Sequence, residues 1–129
     1  MDPIYVNMTS SNHYITLPTP LCVAQKCCAL FQVTGSVYPY PEKPIYICAD
    51  FIHPQPVGSK MLSVLRSLRV KPDRKREEGT VMESMKQLLW LDITRNPLRE
   101  IRLYLTDEEG NIQSFDYCQL SCTLVFKYC

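Results

Sequence analysis

Glycine is scarce in this chain, with 4 residues in 129. That argues against loops that cradle phosphate, and no Gly-x-Gly-x-x-Gly, P-loop or Gly-x-Ser-x-Gly motif is present. Histidine is scarcer still, with only His13 and His53. Neither stands at metal-ligand spacing, and the sequence has no His-x-x-x-His and no Cys-x-x-Cys. Net charge is nearly nil at +1, so no global field draws the chain to nucleic acid or membrane. No apolar run approaches the roughly 18 residues that span a bilayer. The opening Met1-Asp-Pro-Ile-Tyr-Val lacks a basic n-region and a continuous apolar stretch. The expectation is therefore a chain without a signal peptide, made in a reducing compartment. In that setting the Asn7-Met8-Thr9 sequon is idle.

What is present suits one compact domain over residues 1–129, since 46% apolar residues supply a core. Proline is abundant: of ten, eight fall at Pro3, Pro18, Pro20, Pro39, Pro41, Pro44, Pro54 and Pro56. Each removes a backbone donor and fixes φ, which leaves little room for a long helix before residue 57. Seven cysteines would suggest a disulfide framework in a secreted chain. Here they read as reduced, mostly buried small hydrophobes.

Period-two patterning is strongest at the C-terminus. Cys118, Leu120, Cys122, Leu124, Phe126 and Tyr128 alternate with Gln119, Ser121, Thr123, Val125 and Lys127, one set buried and the other outward. Residues 101–115 read as a hairpin turning at Gly110-Asn111. Further strands are expected at 44–51, with Ile45, Ile47, Ala49 and Phe51 on one face, at 28–34, closed by Gly35-Ser36, and at 14–17, ending at Pro18. About six strands at this spacing indicate a sandwich or barrel. Segments 60–70 and 81–93 fit helix and strand periods alike. Residues 71–79 carry charge and no apolar side chain but Pro72, and are expected as an exposed loop.

Chemistry is hard to find in these residues. Zinc would need ligands the spacing does not offer, and a Cys48–His53 nucleophilic pair would lack an orienting group and an oxyanion hole. The carboxylates Asp107, Glu108 and Glu109 crowd one turn and read as a solvated loop tip. The basic residues Arg66, Arg69, Lys71, Arg74, Lys75 and Arg76 could touch phosphate. With no aromatic residue interleaved and with Asp73, Glu77 and Glu78 nearby, a solvated loop is the first reading. Trp90 reads as core or interface filling. No catalytic, cofactor-binding or metal residue is assigned.

Residues 44–66, Pro44-Ile-Tyr-Ile-Cys-Ala-Asp-Phe-Ile-His-Pro-Gln-Pro-Val-Gly-Ser-Lys-Met-Leu-Ser-Val-Leu-Arg66, resemble a segment of capsid proteins from Polinton/Maverick elements and related adintoviruses. The shared features are a strand ending in an acidic residue, then Val-Gly, then Leu-Arg. Residues 101–115, leading to Cys122-Thr-Leu-Val-Phe-Lys127, look like the closing strands of the same fold. The resemblance implies an all-β single jelly-roll sandwich of about eight antiparallel strands with at most one or two short helical turns. It also implies a penton-type minor capsid protein, not an enzyme, assembling as a homopentamer beside a major capsid protein in the virion, after synthesis in the host cytoplasm or nucleus. Tyr38, Tyr40, Tyr46 and Tyr104 are then the expected interface anchors, off the core face by strand parity or proline-rich setting. Residues 1–13, as an N-terminal arm, and the 71–79 loop, with Arg69, Lys71, Arg74, Lys75 and Arg76, would contact neighbours. Two alternatives stand beside this: an intracellular β-sandwich protein-binding module, such as a domesticated capsid-derived protein, and a small thiol- or metal-dependent enzyme.

Overall fold

The structure is a computed structural model that describes residues 3–73, 75 and 77–128, with the side chains at 24–27 and 128 outside the description. Among the described residues it is all-β, with no helix and with every ladder antiparallel. Twelve strands are present where about eight were expected. They are β1 (Ile4–Met8), β2 (Asn12–Leu21), β3 (Val23–Tyr38), β4 (Ile45–Ala49), β5 (Gln55–Val57), β6 (Lys60–Leu62), β7 (Val64–Leu68), β8 (Lys71–Asp73), β9 (Glu78–Ser84), β10 (Leu91–Asp92), β11 (Leu98–Thr106) and β12 (Tyr117–Tyr128). The surplus is short: β5 and β6 pair with each other, β8 lines the edge of β9, and β10 adds two residues to β3.

The eight longer strands form two sheets. The larger runs β1-β12-β3-β9-β8, and the smaller runs β2-β11-β4-β7. Their pairing is nested: first strand with last, β1 with β12; then β2 with β11, β3 with β9, and β4 with β7. The two sheets share one core. Val6, Leu30, Val33, Val37, Val81, Leu120, Leu124 and Phe126 come from the larger; Ile45, Ile47, Leu65, Ile101, Leu103 and Leu105 come from the smaller. The rings of Phe51 and Phe126 meet within this core, 5.9 Å apart.

Local sequence explains most of these strands. On β12 every second residue from Cys118 to Phe126 is buried, as the alternation requires. On β4 the inward set Ile45, Ile47 and Ala49 is fully buried. Neither of the ambiguous segments is helical: 60–70 gives β6 and β7, paired with β5 and β4, while in 81–93 the ends 81–84 and 91–92 pair with β3 and residues 85–90 between them form no regular element.

Several expectations are corrected. The strand expected to close at Gly35 continues to Tyr38, because Gly35 lies opposite Leu120, where a Cβ would collide with the Gln119 carbonyl oxygen. Glycine here permits close backbone approach rather than a turn. The strand expected to end at Pro18 reaches Leu21. Pro18 and Pro20 fall where the β2–β11 register shifts, between Thr16 and Leu21, on the edge strand, so their missing donors cost no ladder bond. Residues 4–8 of the expected arm are paired with β12 throughout, since Val6 and Met8 bring apolar side chains to the core. The 71–79 segment stays largely exposed but is no plain loop, as Lys71–Asp73 pairs with 78–80. Of the 101–115 hairpin, β11 is regular, whereas the return is a single bridge, Thr106 to Ile112.

Candidate functional site

The outward face of the smaller sheet carries a cluster built on strand parity. Because Ile101, Leu103 and Leu105 point into the core, Arg102 and Tyr104 on β11 point out, beside Asn12 and Tyr14 on β2. The Arg102 guanidinium lies 4.3 Å from the centre of the Tyr104 ring and 5.8 Å from that of Tyr14. Arg102 Nε donates to Asn12 Oδ1 at 2.6 Å, and its backbone N–H donates to Asp50 Oδ1 at 3.0 Å. Asp50 in turn pairs with Arg95, 3.1 Å away. The Arg102 guanidinium thus lies over two rings and is anchored by Asn12, while Asp50 fixes its backbone; each cation–ring contact contributes about 0.5–1 kcal/mol at an exposed site. Burial and the neighbouring Cys48 push the Tyr104 hydroxyl above its ordinary pKa, so it stays a neutral donor. Tyr14 is 59% exposed, and this side chain is the projecting part of the cluster.

The four expected tyrosines are not one patch. Tyr46 and Tyr104 sit on the adjacent strands β4 and β11, both half-buried. Tyr38 ends β3 in the other sheet, opposite Tyr117. Tyr40 lies in the following loop and does structural work: its backbone N–H donates to the Glu77 carbonyl at 3.0 Å and its hydroxyl to the Val70 carbonyl at 3.4 Å. Its ring and Val70 also cover Gly79, leaving no room there for a Cβ. Tyr14 and Arg102 were missed by sequence reasoning, although extending the alternation at 14–17 back to Asn12 assigns Tyr14 to the outward face.

A second outward patch crosses the larger sheet. Tyr5 on β1, Phe31 on β3 and Val125 on β12, with Leu88, line an apolar groove. Tyr5 is 76% exposed there. Beside it the Lys127 ammonium lies 4.5 Å from the Trp90 ring, so Trp90 is surface-stacked and only part-buried.

Of the basic residues, Arg69 and Lys71 are exposed and line a cleft together with Arg66. Lys75 is exposed too, its backbone N–H donating to Asp73 Oδ1 at 3.2 Å. Arg74 and Arg76 lie outside the described residues.

The thiols of Cys48, Cys118 and Cys122 are buried, and desolvation raises their pKa values to about 11, about 11 and about 12. Neutral thiols at pH 7 are poor nucleophiles. The partner of Cys48 is the Thr106 hydroxyl at 3.6 Å, whereas the backbone N–H of His53 turns to the Asp92 carbonyl. The expectation of uniformly reduced cysteines needs one correction, since Cys22 is disulfide-bonded. Among the described residues no group of three or more His, Cys, Asp or Glu could hold a metal ion, and no helix is long and apolar enough to cross a membrane.

Comparisons with protein-family models, with curated proteins and with solved structures found no match.

Proposed function

We propose that this chain is a single jelly roll that serves as a penton-type minor capsid protein, five copies closing a ring at an icosahedral vertex. The observation that carries the reading is the nested strand order. A jelly roll is one long antiparallel hairpin wrapped on itself into two sheets. Numbering only the eight longer strands in chain order, the sheets read 1-8-3-6 and 2-7-4-5, the order such wrapping generates. The resemblance of residues 44–66 and 101–127 to Polinton/Maverick and adintovirus capsid proteins supplies the function, which fold alone does not.

The mechanism is mechanical. Two stacked sheets with a shared apolar core make a stiff wedge. A ring needs two unlike patches per copy, each meeting the other on its neighbour. The smaller sheet offers Tyr14, Arg102 and Tyr104; the larger offers Tyr5, Phe31 and Val125. Tyrosine and arginine are residue types that dominate interface energetics. The same Tyr–Arg cluster would also suit an intracellular β-sandwich module that binds another protein, so oligomeric state separates the two readings. Negative-stain microscopy and sedimentation velocity of the purified chain are expected to show five-lobed rings. A monomer at every concentration tested would sink the capsid reading and leave the binding module.

A further inference from the structure

β8 covers β9 only at residues 78–80, and beyond it the flank between the two sheets opens. The opening is a cleft of about 460 Å³, lined by Arg66 and Arg69, by Lys71, and by Met82, Glu83 and Met85 among others. Clefts of this size are common binding sites. Arg66 stands opposite Ile47, so it lies on the inner side of the edge strand β7. Its Nη2 reaches the Gln87 carbonyl at 3.5 Å, while its Nε is buried with no partner among the described residues. A buried, unmatched guanidinium nitrogen is costly unless an acceptor arrives. Glu83, the one carboxylate among the described residues that line the cleft, already accepts from the Arg69 backbone N–H at 2.9 Å. Three cations thus face the opening with one engaged anion between them.

The opposite chemistry stands at the turn that closes β11. Asp107 Oδ1 accepts from the backbone N–H groups of Glu109 and Asn111, at 2.9 and 3.0 Å, which holds its carboxyl below the ordinary pKa and stiffens the turn. Glu108 and Glu109 are left exposed at the tip, and among the described residues neither forms an ion pair.

We infer that the Arg66–Arg69–Lys71 cleft is the docking site for the 107–110 turn of a second copy, with Glu108 and Glu109 as the entering carboxylates. Charge complementarity selects this occupant, and the apolar side of the cleft favours protein over a phosphate backbone. Met82 is 86% exposed at its rim and Met85 lies within, and none of the described residues lining it is an aromatic that could stack bases. Because cleft and turn are different surfaces, the contact is head-to-tail, as a closed ring requires. The inference rests on the assembly reading and adds its registering contact. Guanidinium–carboxylate pairs set register and partner choice more than bulk affinity.

The test is a charge exchange read by sedimentation velocity. Arg69→Glu with Lys71→Glu, and separately Glu108→Arg with Glu109→Arg, alter exposed side chains, and circular dichroism checks that each variant is folded. Each pair is expected to weaken self-association of the full chain by more than about tenfold. A single chain carrying all four substitutions, in which every junction between copies is a reversed charge pair, is expected to recover assembly. Rings that form equally well in both variants would overturn the docking site while leaving the capsid reading intact. Charge-dependent dimers or open chains in place of rings would do the reverse. A chain that never self-associates overturns both, whereas salt-dependent binding of a DNA oligonucleotide that disappears in the Arg69→Glu, Lys71→Glu variant while rings persist overturns the docking site alone.

Discussion

The buried thiols make a prediction that belongs to single residues. Cys48, Cys118 and Cys122 keep their protons to about pH 11–12 in the folded chain, against an ordinary value of 9.0. Below pH 9 both folded and unfolded states hold these protons, and the stability linked to them is fully present. Above it the unfolded thiols ionise while the folded ones do not, so stability falls as pH rises from about 9 through about 11 to about 12. Thermal melts across that range should show a falling Tm that is flattened when the three cysteines are replaced by alanine or valine. The same burial makes these thiols inert to an aromatic disulfide reagent at pH 7.5 until denaturant is added. Rapid stoichiometric labelling of Cys48 in the native chain would contradict the packing and reopen a thiol-based activity.

At the scale of the element, β3 is the strand on which the larger sheet depends. It pairs with β12 and β9 and takes β10 at its start. Gly35 sits at φ +148, with the β12 backbone where a side chain would be. Gly35→Ala is therefore expected to force the two central strands apart, at a cost of about 3 kcal/mol or more. Urea denaturation would read this as a lowered midpoint, or expression would yield no folded chain; an unchanged midpoint would mean the strands are not so close. Gly79 is the milder counterpart. Its neighbours are the side chains of Val70 and Tyr40, so Gly79→Ala should loosen the β8–β9 hairpin and raise its proteolytic sensitivity while sparing the core.

For the whole molecule, the stacked Tyr14–Arg102–Tyr104 cluster is the place to test assembly apart from folding. Tyr14→Ala and Tyr104→Ala each remove outward ring area and leave the inward set of β11 untouched. Their Tm should stay within a few degrees of the parent, whereas ring formation in sedimentation should weaken roughly tenfold or more if the cluster is an interface hot spot. Tyr46→Ala belongs in the same series, since Tyr46 lies on the neighbouring strand. Unchanged assembly in all three would move the contact to the Tyr5–Phe31 groove on the other sheet. Tyr40→Ala is a poor probe, because Tyr40 holds Val70 and Glu77 in place and its loss would disturb the hairpin itself.

Period-two patterning was enough, from the sequence alone, to determine that the chain is built of strands, and which faces of β4, β11 and β12 are buried. Alternation is a local property, dictated by the pleat and read without knowing any partner. Partner-dependent features were not legible. Gly35 and Pro18 read as stops in one dimension, yet each lies within a strand, because a glycine against a neighbouring backbone and a proline at a register shift cost nothing there. The nested pairing of β1 with β12 joins the two ends of the chain, a choice made by the shared core and by no local motif. Surface chemistry divides the same way. The acidic turn and the basic run stand openly in the sequence, but only tertiary structure turns Arg66 inward to line one cleft with Arg69 and Lys71, because that flank opens only where β8 stops short of the end of β9.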